Sequence, residues 1–128
     1  MIDVSDRLAI HELLSLYGHL IDQRRWAELD QVFSADLVFD ATEMGVPLTT
    51  SFNALLEHWT TDATHPLAHH ATNVVVTEDA DGTVRVMSKG IGVGNKGRVG
   101  SVTYFDVVVR TPAGWRLKHR VAQLRRPG

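Results

Sequence analysis

Histidines and one carboxylate are the residues of this chain that are best suited to proton transfer. The 128 residues include seven histidines and no cysteine, which excludes thiol catalysis and disulfides. A histidine acts well as a general base when a carboxylate orients its ring and stabilises its charged form. Asp22 is a candidate for that carboxylate, because it follows directly on the apolar stripe of a predicted helix. The helix dipole disfavours an acid there, so another interaction is expected to hold it.

His69 and His70 are the candidate partners, since they open a β-branched segment that predicts a long central strand. Side chains alternate along a strand, so one of the two histidines faces the helices and the other faces away. Alternation alone leaves open which one. A hydrogen-bonded structural histidine is the alternative interpretation for either position.

The other histidines carry weaker signals. His11, His19 and His58 are expected at surface or edge positions of helices, and His65, in the loop before a proline, is expected to be solvated. No metal site is predicted, because the spacing of the histidines at 65, 69 and 70 does not place three ligands and a carboxylate on one face.

Three helices are predicted to position these groups. Apolar residues at helical spacing indicate a first helix over residues 6–22 and a second over 25–33. Ser51 is a suitable N-cap for a third helix that carries Phe52 and Trp59 on its apolar stripe. Residues 34–36 are expected to stop the second helix before a short strand over residues 37–42.

The second half of the chain has the period of strands. Four long strands are predicted over residues 68–78, 83–93, 98–111 and 115–124, with glycine-containing turns between them. Helices followed by an antiparallel meander indicate an α+β fold with one domain over residues 1–128. We expect a strongly curved, mostly antiparallel sheet that encloses the helices and a conical cavity, with glycines between residues 90 and 100 helping it to bend.

Composition excludes several other functions. The net charge of −2 and the isoelectric point near 6.4 give no electrostatic footprint for nucleic acid or an anionic membrane. No apolar run has the length of a membrane-spanning helix, and residues 1–6 lack the pattern of a secretory signal. These observations lead us to expect a cytoplasmic protein.

Three segments carry a resemblance to a known family: LYGHLIDQRRWAELDQVFSADLVFD, HHATNVVV and GSVTYFDVVVRTPAGWRLKHR. In this order, over about residues 5–124, they resemble the SnoaL-like branch of the NTF2-like superfamily, whose fold is a cone-shaped α+β barrel. That superfamily includes dehydratases, isomerases, cyclases, epoxide hydrolases and binding proteins without activity, so the fold alone does not determine function.

The pattern is most similar to the group of scytalone dehydratase, bile-acid 7α-dehydratase and lindane dehydrochlorinase. Their acid at the end of the first helix corresponds to Asp22, and their H-x-x-x-N pattern selects His69 over His70. The bile-acid and lindane enzymes also carry a Tyr or Lys five residues before the acid, which corresponds to Tyr17. They further have an Arg five residues after the Trp of the last strand, which corresponds to Arg120. The resemblance therefore implies these four as catalytic residues.

Other patterns of the superfamily fit less well. The second histidine of scytalone dehydratase would fall in residues 90–94, where this chain has none. The general base of ketosteroid isomerase would fall on Ala41, and Asp40 is one residue out of register and should face away. The Asp-Arg-Asp set of the epoxide hydrolases cannot be assembled.

The resemblance implies a cofactor-independent elimination from a hydrophobic cyclic substrate such as a steroid or polyketide. His69, oriented by Asp22, would take the proton, and Tyr17 or Arg120 would stabilise the developing charge. The expected cavity walls are Leu13, Leu20, Phe33, Phe52, Leu55, Trp59, Met87 and Tyr104, with His70 as a further substrate contact. The alternatives are an isomerase or cyclase and a binding protein without activity. A homo-oligomer, either a dimer or a trimer, is expected.

Overall fold

The computed structural model describes residues 1–62, 64–125 and 127. Its helices are α1 (Val4–Asp22) and α2 (Phe52–Thr61), with short 3₁₀ helices at Trp26–Gln31, Thr42–Met44 and Asn95–Gly97. Its strands are β1 (Phe33–Asp40), β2 (Ala68–Glu78), β3 (Val84–Val93), β4 (Val99–Thr111) and β5 (Gly114–Gln123).

The strands form one sheet in the order β1-β5-β4-β3-β2. β1 runs parallel to β5, and the other neighbours are antiparallel. The predicted α+β fold and the four long strands are confirmed, and the ends of these strands differ from the prediction by at most one residue. The helices pack against one face of this sheet, with α1 lying against β2 and β5.

The second predicted helix is wrong in its type. Trp26–Gln31 forms a 3₁₀ helix of six residues, and β1 begins already at Phe33. Residues 34–36, predicted as a stop, therefore lie inside the strand. The reason is long-range pairing, because the Leu117 amide donates to the Val32 carbonyl at 2.7 Å and draws this segment onto β5.

Helix α1 begins and ends with defined caps. Asp3 and Asp6 accept each other's backbone N–H at 3.0 and 2.8 Å, which forms a reciprocal capping box. At the other end, Arg24 adopts a positive φ of 54°, and the Arg25 amide donates to the Leu20 carbonyl at 2.8 Å. This sharp turn ends the helix at Asp22 and leaves the Asp22 side chain directed toward β2.

Strand β2 contains a bulge that changes which residues face the helices. The β2–β3 pairing shifts by one between Thr72 and Val75, and Asn73 in this interval has a φ of +56°. The residues that face inward are odd-numbered before the bulge and even-numbered after it, where Val76 is buried. Uniform alternation along residues 69–76, as predicted, therefore does not hold, and Val75 lies on the outer face at 49% exposure.

The outer face of the sheet carries an apolar row. Val75 pairs with Met87, Met87 with Phe105 and Phe105 with Val121, so the row crosses four strands in register. The first three of these side chains are exposed.

In the part of the chain that the structure describes, no helix is long and apolar enough to cross a bilayer.

Candidate functional site

Asp22 and His69 meet between the end of α1 and the start of β2. The Asp22 carboxylate accepts a bond from His69 Nδ1 at 2.6 Å and from the His69 backbone N–H at 2.9 Å. A carboxylate only accepts, so Nδ1 carries the proton and Nε2 of the neutral ring keeps its lone pair. Nε2 has no hydrogen-bond partner among the described residues. It is therefore the ring nitrogen available to a bound molecule.

Gly18 allows this approach. It lies one turn before Asp22 on α1, and a Cβ at this position would lie 2.6 Å from the His69 carbonyl oxygen. A side chain here would push β2 away from the helix. The absence of a side chain at Gly18 is thus part of what brings the acid within reach of the histidine ring.

His69 lies on the inner face of β2, and its side chain is 13% exposed. His70 lies on the opposite face of the strand and is exposed, although it also contributes to the cavity lining. Asp22 is not among the lining residues and sits behind His69. The structure thus resolves the alternation left open by the sequence and places His69 in contact with Asp22.

His65 is the residue that sequence reasoning missed. It was expected to be solvated, but it is partly buried, lines the cavity and lies with its ring centroid 4.8 Å from that of His69. Its other neighbour is Trp59, at 6.2 Å between ring centroids. Burial, followed by the charge of His69, lowers the pKa of His65 to about 4. His65 is therefore neutral at physiological pH.

Tyr17 lies at the centre of an aromatic cluster. It makes edge-on contacts with the rings of Phe33, Trp59, His69 and Tyr104, with centroid distances between 5.9 and 6.4 Å. Burial is the main cause that raises the pKa of Tyr17 well above its usual range. Its hydroxyl therefore stays protonated and is a donor at all physiological pH values.

Arg120 occupies the wall of the same cavity but is committed to a partner. Its Nε and one terminal nitrogen donate to the two carboxylate oxygens of Asp106 at 2.8 and 2.9 Å. Its guanidinium carbon lies 3.7 Å from the Tyr104 ring centroid and 4.4 Å from that of Tyr17. Burial alone would lower the pKa of Arg120, but the Asp106 carboxylate outweighs it, and the pKa is raised.

Sequence reasoning also missed Asp106. The sequence contains a signal for it, because alternation places Asp106 on the same strand face as Tyr104 and Val108 in an otherwise apolar stretch of β4. All three are buried. An acid on the inward-facing register of an apolar strand indicates a buried charge that needs a cation, and Arg120 on the neighbouring strand supplies it.

The cavity has a volume of about 520 Å³, and both polar and apolar residues line it. Tyr17, His69 and Arg120 are among the lining residues, and so are the predicted walls Trp59 and Tyr104. Five other predicted walls are not among the lining residues, because they pack in or against the hydrophobic core: Leu13, Leu20, Phe33, Phe52 and Leu55.

The prediction for Met87 is wrong. It is 46% exposed on the outer face of β3, because Val84, Val86 and Ser88 take the inward positions. Gly90, the next inward residue, lies against the Tyr104 ring, where a Cβ would clash with Cε2. Gly90 thus allows the Tyr104 ring to pack closely against β3. The sequence had suggested a different role for this glycine, which was to help the sheet bend.

Within residues 1–62, 64–125 and 127, no group of three or more His, Asp or Glu side chains is arranged to bind a metal ion.

The fold and the cavity define the class of protein. The architecture is that of a cone-shaped NTF2-like domain, and solved structures with the cystatin-like or NTF2-like fold share it. The chain matches the SnoaL-like domain family over residues 3–121 and belongs to that family.

Individual relatives agree with this assignment. An uncharacterized protein of Mycobacterium tuberculosis is 33% identical over 127 residues, which cover 93% of this chain and 85% of that protein. A solved structure of a candidate aromatic ring hydroxylase from Novosphingobium aromaticivorans is 30% identical, with a TM-score of 0.75, and covers 99% of this chain and 94% of the other. A candidate scytalone dehydratase from the same organism has 22% identity and a TM-score of 0.69, covers 93% and 83% of the two chains, and supports the fold alone.

Proposed function

We propose that the protein is a cofactor-independent lyase that removes water from a hydrophobic cyclic compound, with Asp22 and His69 as its proton-transfer pair. The observation that carries this proposal is the 2.6 Å contact between His69 Nδ1 and Asp22 Oδ1, which leaves Nε2 available at the wall of the cavity. A histidine held in this tautomer by a carboxylate is arranged to act as a general base.

The reaction follows from this arrangement. In a β-hydroxy carbonyl substrate, His69 Nε2 takes a proton from the carbon next to the carbonyl, and the C–H electrons move into the carbonyl as an enolate. The enolate then expels the hydroxyl group and forms the carbon–carbon double bond. The hydroxyl takes the proton back from the His69 imidazolium and leaves as water. Asp22 stabilises the transient charge on the ring.

Tyr17 and Arg120 are proposed to stabilise the enolate. The Tyr17 hydroxyl stays protonated, so it is available as a hydrogen-bond donor to an oxygen that gains negative charge. Arg120 supplies a fixed positive charge beside it, although its bonds to Asp106 limit the donors that remain. Its contribution is therefore electrostatic more than it is a direct contact.

The substrate class is proposed from the shape and chemistry of the walls. A cavity of about 520 Å³ with Trp59 and Tyr104 among its lining residues suits a flat ring system such as a steroid or polyketide. The similarity to a protein named as a candidate aromatic ring hydroxylase supports a ring-shaped ligand. His70, which is exposed, would at most contact a part of the substrate near solvent.

A matched pair of variants tests the proposal. Carbonyl-activated cyclic alcohols are screened by mass spectrometry for a product that has lost water, and the active compound is then tried with His69→Ala and His70→Ala. We expect His69→Ala to lower kcat by about 10²- to 10⁴-fold, as for loss of a general base, and His70→Ala to change it by less than about threefold. Equal losses, or loss only in His70→Ala, would refute the assignment.

Two other functions use the same cavity. An isomerase or cyclase would use the same base but would give a product of unchanged mass. A binding protein would hold a ring compound unchanged and would be indifferent to Asp22→Asn. The Asp22–His69 contact favours a reaction over binding alone, because its carboxylate has a direct effect on proton transfer and none on a purely apolar ligand.

We also propose that the outer face of the sheet forms a contact between copies of this chain. The apolar row of Val75, Met87, Phe105 and Val121 would be covered best by an equally apolar surface. Light scattering during gel filtration gives the assembly mass, and Phe105→Lys is expected to shift it to that of a monomer. A monomeric mass for the wild type would rule the contact out.

A further inference from the structure

His65 is held over the cavity by contacts at both ends of its loop. Asp62 Oδ1 accepts from the Thr64 backbone N–H at 2.8 Å and from its hydroxyl at 2.7 Å, and the His65 amide donates to the Asp62 carbonyl at 3.2 Å. On the other side, Leu67 donates to Val93 of β3 at 2.9 Å.

The residue after His65 is fixed by close packing. Pro66 lies against Gly92 of β3, where a Cβ would lie 2.6 Å from Pro66 Cγ. Proline has a fixed φ angle and also restricts the backbone of the residue before it. The packing of Pro66 on Gly92 therefore also sets the direction of His65. The loop therefore presents the His65 ring in one place beside the Asp22–His69 pair.

The His65 ring fills the space between two partners but bonds to neither. It lies at a tilt of 34° to Trp59 and 41° to His69, with centroids 6.2 and 4.8 Å away. Neither ring nitrogen has a hydrogen-bond partner within the described ranges. A buried polar group is normally paired, and these nitrogens border the cavity, so a bound molecule or water is the natural partner.

We propose that His65 is a second substrate-contacting histidine, whose ring N–H donates a hydrogen bond to the substrate oxygen that gains negative charge when His69 takes the proton. This inference rests on the proposed function, since it adds a donor at the same reacting centre. The lowered pKa of His65 agrees with it, because a neutral imidazole beside His69 donates without competing for the proton. His65 itself neither gains nor loses a proton in this step.

The contact is tested by comparing two probes of similar shape, 2-naphthol and 2-methylnaphthalene, whose fluorescence reports binding. Their affinity ratio isolates the hydroxyl group, because both bury the same ring system. The wild type is expected to prefer 2-naphthol. His65→Phe keeps a stacked ring but has no N–H, and it should reduce that preference about three- to tenfold, as for one lost hydrogen bond.

Two further variants guard against a purely structural effect. His65→Gln keeps an N–H donor and should retain the preference within about twofold, which also covers the case that His65→Phe fails to fold. His11→Phe, an exposed position on α1, should leave the ratio unchanged. A general loosening of the cavity would weaken both probes equally and would not move their ratio. No preference in the wild type, or an unchanged ratio in His65→Phe, overturns the inference.

The outcomes for His65 and for the lyase are separable. If the wild type removes water from its substrate but His65→Phe keeps the hydroxyl preference, the His65 contact is wrong and the lyase stands. If no substrate loses water but His65→Phe loses the preference, His65 binds oxygen in a protein that is not a dehydratase.

Discussion

Two carboxylates at this cavity each bind a basic side chain, and the surroundings of the two pairs differ. Asp106 and Arg120 have side chains that are 0% and 1% exposed and are joined by two bonds of 2.8 and 2.9 Å. Asp22 and His69 are 23% and 13% exposed, and one ring nitrogen of His69 has no partner in the described part of the chain. The resemblance placed Arg120 and His69 in one catalytic set, and the surroundings separate them.

The two pairs differ in what they leave open to a bound molecule. A buried ion pair with both charges satisfied is a fixed source of electric field, since removing either charge leaves the other unpaired in a poorly solvated place. His69, in contrast, lines the cavity, and its Nε2 has no partner among the described residues. We therefore propose that Asp106–Arg120 shapes the cavity and that Asp22–His69 carries the chemistry.

The largest effect on stability is expected for Asp106→Asn. It leaves the Arg120 charge buried without a counter-charge, which should lower the free energy of unfolding by about 3–5 kcal/mol. Urea denaturation followed by circular dichroism measures it. Asp22→Asn is the matched control and should cost about 1 kcal/mol, because that pair is partly solvated and keeps one acceptor.

Similar losses of stability in the two variants would contradict this difference between the two pairs. A double variant separates the effect of the unpaired charge from that of side-chain packing. Replacing Arg120 with Met and Asp106 with Leu removes both charges together and should recover most of the loss, as apolar replacements of buried ion pairs do. A double variant as unstable as Asp106→Asn would show that packing of the side chains, and not the unpaired charge, sets the cost.

Gly18→Ala tests the geometry of the other pair. Alanine normally stabilises a helix relative to glycine, but here its methyl group would lie 2.6 Å from the His69 carbonyl oxygen. Moving β2 away should cost about 1–3 kcal/mol and separate Asp22 from the ring. Urea unfolding measures the loss of stability. The NMR signal of the His69 Nδ1 proton reports the contact with Asp22, and that signal should weaken or disappear.

Gly100→Ala is the control for this substitution. A Cβ at Gly100 meets nothing within 4 Å, and its φ is not in the left-handed region. Its stability should change by less than about 0.5 kcal/mol, as for an ordinary surface position. A Gly18→Ala variant that behaves like this control would mean that α1 and β2 are free to separate without loss of the pair.

Local signals in the sequence were sufficient for much of the fold and for one half of the site. The turns after Glu78 and Val93 and the apolar stripe that ends at Asp22 predicted the long hairpins and the end of α1. Resemblance, and not alternation, selected His69. The bulge at Asn73 shows why alternation was insufficient, because one extra residue reverses the inward register partway along β2.

The rest depended on contacts between distant residues. His65 lines the cavity because Pro66 packs on Gly92, which lies 26 positions later in the chain, and no local pattern reports that. Pairing of Val32 with Leu117 likewise converted a predicted stop into the start of β1. Met87 is an exception, because alternation along β3 places it on the same face as Arg85 and Lys89, and that charged face points outward.

His65 is expected to contribute to the pH dependence of stability. In the unfolded chain its pKa returns to the ordinary value of 6.5, whereas in the fold it is about 4. Between these values the unfolded state binds a proton that the folded state does not. The contribution is therefore complete above pH 6.5 and is lost as the pH falls toward 4. Urea midpoints of wild type and His65→Gln between pH 7 and 4 measure it.

The charged and titratable groups that face His65 are His69, Asp62, His58 and Asp22, and all of them remain in both proteins. Their own titration is therefore common to the two series, and the difference between the series belongs to His65. We expect the wild type to lose stability more steeply than His65→Gln over this interval. Parallel curves would mean that the His65 ring is as well solvated in the fold as outside it.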